Sequence, residues 1–92
     1  MKQETFKVYV QVNADFREDG RIIPRYLVWE DGTRFEIDKV TDVRPAASLK
    51  AGGCGMRYTC LIQGGEHYLF YEGNARWFVE ARQGREIQPM TA

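Results

Sequence analysis

Three side chains of this chain have the chemistry of metal ligands or nucleophiles: Cys54, Cys60 and His67, spaced Cys-x5-Cys-x6-His. That spacing matches no familiar zinc pattern and supplies three soft ligands where a structural zinc takes four. A fourth would have to be a carboxylate, so no metal and no cofactor is expected. Along an extended segment the two cysteine Cα atoms lie about 20 Å apart at ~3.3 Å per residue. A disulfide needs less than about 7 Å, so free thiols are expected unless Gly55 bends the chain sharply. A reactive thiolate needs exposure and a lowered pKa, whereas Cys60 sits mid-strand among apolar neighbours, diagonal to His67 on the next strand, and reads as a small core residue. Asp and Glu are scattered among turns and cross-strand pairs, which leaves no pair of carboxylates placed for acid–base work. No catalytic residue is assigned, and a non-enzyme is expected.

The run Gly52-Gly53-Cys54-Gly55, followed by Arg57 and preceded by Lys50, has the composition of a backbone nest that holds an anion. It lacks the Gly-Lys-Ser/Thr ending and following helix of a phosphate loop. A turn or bulge that re-aims the chain is the favoured reading of the run, with the anion nest as the alternative.

Aromatic and arginine side chains offer more. Trp29, Arg25 and Arg34 fall on one hairpin, where Trp29 either packs under a loop or stands as an exposed anchor of the kind enriched at interfaces. Tyr58, Tyr71 and Arg76, on one face of a hairpin, with Arg57 beginning the same strand, form a second candidate surface. Aromatics beside arginines suit a protein partner, self-association, or a single strand of nucleic acid stacking its bases on the rings. Thirteen basic residues balance thirteen acidic ones, and a neutral chain has little long-range pull on a phosphate backbone. Protein interaction or an accessory role is therefore the leading expectation, and single-stranded nucleic-acid binding the alternative.

Ninety-two residues make one small domain, 43% hydrophobic and 28% charged, a composition that argues against disorder of the body. No apolar run approaches the ~18 residues of a membrane helix, and Met1-Lys2-Gln3-Glu4 leads directly into a strand pattern without a secretory signal. A cytoplasmic location is expected.

The elements that must position these side chains are strands. Phe6, Val8, Val10 and Val12 alternate with polar residues, and Asn13 to Gly20 reads as a loop. Asp31-Gly32, Gly64-Gly65 and Gly73-Asn74 supply the residues tight hairpin turns demand. With two-residue loops there, Val28 faces Phe35 and Tyr26 faces Ile37 on a core side, while Trp29 faces Arg34. Tyr58 then faces Tyr71, Thr59 faces Phe70, and Phe70 faces Trp77. Both faces of residues 56–82 carry apolar centres, so one needs cover from the 45–52 segment, the first strand or another chain. Pro24 marks a strand start, an edge or a bulge, and Pro45 with Gly52 brackets a short helical turn near 45–51.

Six or seven short antiparallel strands in residues 1–82 predict an all-β SH3-like or OB-like barrel or roll, with 83–92 as a frayed tail. Trp29-Glu30-Asp31-Gly32 and Arg44-Pro45-Ala46-Ala47-Ser48-Leu49-Lys50-Ala51-Gly52-Gly53 resemble segments of a family of small, β-rich bacterial proteins. The resemblance implies a bacterial protein of that kind and brings no activity, ligand or site with it.

Overall fold

The computed structural model describes residues 5–48 and 53–82, and these form a single antiparallel sheet of seven strands. The strands are β1 (Thr5–Phe16), β2 (Ile22–Val28), β3 (Arg34–Glu36), β4 (Lys39–Ser48), β5 (Gly53–Ile62), β6 (Gly65–Gly73) and β7 (Arg76–Arg82). Their order across the sheet is β3-β2-β1-β7-β6-β5-β4. The first and last strands are therefore neighbours, with Val8 opposite Val79 and Val10 opposite Trp77. β3 and β4, at the two ends of the sheet, are joined by Ile37 and Asp38 alone. The sheet curls into an open half-barrel, the small all-β architecture the strand pattern predicts. Its ends are tied by the Ile37 amide donating to the Arg25 carbonyl (2.9 Å) and the Asp38 amide donating to the Leu61 carbonyl (2.8 Å).

The concave side holds the main core: Val8, Leu27, Cys60, Ile62, Leu69 and Trp77, with Tyr58, Val79 and Ala81. Its aromatic centre is Trp77, with its ring centroid 5.3 Å from Tyr58 and 4.6 Å from Tyr71. On the convex side Phe70 and Phe78 are fully buried and stack with parallel rings at 4.8 Å.

All three turns depart from those expected, the first in length and the other two, which keep two-residue loops, in position. At the first hairpin the Gly32 amide donates to the Trp29 carbonyl and the Trp29 amide to the Thr33 carbonyl. The loop therefore has three residues and places Gly32 at φ 89°, a type I turn closed by a left-handed glycine. This moves every side chain of the strand to the other face: Leu27 faces Phe35, and Tyr26 faces Glu36. At the second hairpin the loop is Gln63-Gly64, both at positive φ, and the register moves by two residues. Faces survive such a shift but partners change, so Tyr58 meets Leu69, Thr59 meets Tyr68, and Cys60 meets His67 directly. At the third, Asn74-Ala75 forms the turn and a bulge at Glu72 absorbs one residue, so Phe70 faces Phe78 and Tyr71 faces Trp77.

Other expectations are corrected as well. Asn13–Phe16 continues β1 rather than looping. Residues 45–48 of the expected helical turn run as strand, with Pro45 opposite Met56. β4 is an edge strand, where a missing N–H is tolerated. The remainder of that turn, 49–51, and the 83–92 tail lie outside the described residues. Pro24 sits at a bulge that leaves Arg25 without a β1 partner, one of the three placements its ring allowed. Gly55 reaches its position because it has no side chain: a Cβ there would lie 2.2 Å from the Tyr71 carbonyl oxygen.

Candidate binding cleft

β3 pairs with β2 over three residues only. Beyond Glu36 the chain crosses to β4, and the outer edge of Ile22–Pro24 has no neighbouring strand among the described residues. A cleft of about 620 Å³ occupies this gap, within the range of roughly 300–1,000 Å³ typical of ligand sites. One wall is Ile22, Ile23 and Pro24, the other Val40 and Val43, and the floor is Met56, Tyr58 and Tyr71. Arg21, Arg25, Asp38 and Lys39 stand at its rim.

The rim charges are unequally engaged. Arg21 bonds Asp19 at 2.9 Å and Arg25 bonds Asp15, while Lys39 makes no ion pair among the described residues. Two apolar side chains flank the cleft in the open. Phe16, opposite Ile22 and edge-on to Tyr71 at 6.4 Å, is 61% exposed, and Val43 is 45% exposed. Tyr9 is the third large exposed hydrophobic among the described residues, and it lies on the convex side, bonded through its hydroxyl to Glu72. Burial raises the Tyr58 phenol above its ordinary value, so this floor residue presents a neutral ring.

The sequence-derived sites are redistributed. Tyr58 and Tyr71 line the cleft, but Arg57 and Arg76 point to the convex side, where their guanidinium groups lie 4.3 Å from the Tyr68 ring centre and 4.0 Å from that of Tyr9. Arg76 therefore leaves the face it was expected to share with Tyr58 and Tyr71, and joins Arg57 on the other. The first candidate patch is split too. Trp29 is half-buried against the core, Arg34 stacks over Tyr26 at 3.7 Å and bonds Glu36 rather than covering Trp29, and Arg25 alone reaches the cleft rim. Phe16, Val43 and Met56 were not singled out from the sequence. Phe16 fell in a segment read as loop, and its position depends on β1 extending past Asn13.

Cys60 is fully buried, and burial pushes its thiol up to about 12, the reverse of what a thiolate nucleophile needs. Among the described residues no three His, Cys, Asp or Glu side chains converge as a metal site. The side chain of Cys54, with Lys50 and Gly52 of the glycine run, lies outside the described part. No helix of the described residues is long and apolar enough to cross a membrane. Comparison with protein-family models, curated proteins and solved structures finds no match to this chain.

Proposed function

We propose that this protein is a non-catalytic binding module that receives an apolar segment of a partner protein in the cleft between β2 and β4. The observation that carries the reading is the pairing of an apolar cleft with exposed Phe16 and Val43 on its margins. Aromatic anchors beside a concave apolar patch and arginines are the usual composition of interface hot spots. The aromatic–arginine surface expected from the sequence thus has a counterpart in Phe16, Tyr71, Arg21 and Arg25. The single-strand nucleic-acid alternative has less to work with. Phe70 and Phe78 are buried against each other, and one face each of Tyr9 and Tyr68 is taken by an arginine, leaving few ring faces for bases to stack on.

A displayed library of short linear peptides, selected against the protein, tests this. Selected peptides should shift the amides of Ile22, Ile37, Val43 and Tyr71, and should bind the Phe16→Ala variant at least ~10-fold more weakly. Peptides that bind that variant as tightly as the unaltered protein would reject the cleft. A single-stranded oligonucleotide producing salt-sensitive shifts at Lys7, Arg57 and Arg76 would move the site to the convex face.

A further inference from the structure

β4 ends the sheet, so one side of it is paired with β5 and the other has no neighbouring strand among the described residues. From Asp42 to Ser48 its register against β5 is unbroken. Asp42 and Arg44 project to the convex side and bond each other at 2.7 and 3.2 Å. Between them Val43 points to the concave side and is 45% exposed. Arg44 also lies directly opposite Arg57, a like-charge pairing that a further carboxylate would relieve.

We infer that β4 pairs antiparallel with β4 of a second copy of this chain, on a two-fold axis through Val43. The charge pattern selects that axis. Centred on Val43, each Asp42 faces the Arg44 of the other copy, giving two ion pairs related by the axis, with the two Val43 side chains adjacent. Centred on Arg44 or on Asp42, identical charges meet. A surface that matches itself in this way is what a two-fold interface requires. The bulge at Thr41 and the ring of Pro45 bracket the pairing and meet across it, since residue 41 faces residue 45. Such features normally keep an edge from pairing indefinitely, and here they confine it to a short window. The other end of the sheet, β3, has three residues, so pairing through β4 closes at two copies. Val43 also lines the cleft, so the pairing would cover part of the margin that a segment bound there would use, and the self-association is measured on the protein without peptide.

Analytical ultracentrifugation from about 1 µM to 1 mM, the range suited to a small interface, tests the pairing. The unaltered protein should move from 10.7 kDa toward twice that mass. Asp42→Arg alone and Arg44→Asp alone should each self-associate at least ~10-fold more weakly, because like charges then face each other. Mixed one to one, those two variants should associate again, since every facing pair is then opposite in sign. Loss of the charge pair within one chain cannot produce that recovery. Val43→Cys, treated with an added thiol oxidant that takes up the two electrons and two protons, should give a dimer linked by a disulfide through position 43, because directly opposed side chains in such a pair can close to disulfide distance with a small shift. A mass of 10.7 kDa throughout, or single variants that associate like the unaltered protein, or a mixture that stays monomeric would each overturn the inference.

Discussion

Individual residues decide how tightly the strands can approach. Gly55 faces the Tyr71 backbone so closely that a methyl group has no room, and the obstacle is main chain, which cannot rotate away. Gly55→Ala should therefore destabilise the fold by about 3 kcal/mol, the upper part of the range for overpacking, read as a lower urea midpoint at unchanged slope. Trp29 makes the opposite point about exposure. It is half-buried and packed on the core, so Trp29→Ala should cost roughly 2–3 kcal/mol through lost packing, while Phe16→Ala, at 61% exposure, should leave the midpoint nearly unchanged. A Trp29 variant as stable as the unaltered protein would contradict that placement. Cys60 belongs at this scale too: its reading as a small core residue follows from mid-strand position among apolar neighbours, and alternation alone was enough to place it.

Hairpins set the register of everything above them. Strand number, the all-β class and the faces of β5 and β6 were legible in the sequence, because alternation and Gly-rich turns are local signals. The length of the first loop and the position of the other two were not. Asp31-Gly32 serves a two-residue loop or the last part of a three-residue one, and only the Trp29–Thr33 hydrogen bond decides which. That single residue moved Leu27 into the core and Tyr26 out of it. The bulge at Glu72 did the same to Trp77 and Arg76, taking Arg76 off the face it was expected to share with Tyr58 and Tyr71; Arg57, next to Tyr58 along β5, lies on the other face by alternation. The cleft was illegible for a further reason: it arises where β3 stops, between strands distant in sequence. Turn chemistry yields a prediction at this level. Ala75 holds φ 62° in the last hairpin, a conformation that costs an L-residue about 1–2 kcal/mol, partly offset by the entropy glycine loses on folding. Ala75→Gly should stabilise the protein by about 0.5–1 kcal/mol, whereas Gly64→Ala, at φ 79° in the preceding turn, should destabilise it by a similar amount. Equal midpoints for the two variants would mean that the turns are not held in these conformations.

The whole molecule gathers these local states into one pH profile. On the acid side, Glu72 accepts hydrogen bonds from Tyr9 and then Lys7, which hold its carboxyl below the ordinary value. Asp42 is lowered by Arg44, Asp31 by Thr33, and Asp19 by the Arg21 backbone. A carboxyl with a depressed folded pKa contributes stability that is present above its unfolded value, here 4.5 for Glu and 3.8 for Asp. That contribution drains as pH falls through the folded value. On the alkaline side the sign reverses. The Cys60 thiol releases its proton near 9.0 when unfolded but only at about 12 when folded, so the unfolded chain ionises first and stability falls as pH rises between those values. Tyr58, raised by burial above 10.0, adds to the same limb. The urea midpoint should be level from about pH 5 to 8.5 and fall on both sides. Glu72→Gln should flatten the acid limb and, because Glu72 after Tyr9 also helps raise the Lys7 ammonium, trim the alkaline loss above 10.5. Cys60→Ala should instead flatten the alkaline limb between pH 9.0 and about 12 and leave the acid one alone. An alkaline limb unchanged in the Cys60 variant would show that the thiol ionises in the folded protein as readily as in the unfolded chain, which its complete burial in the main core should prevent.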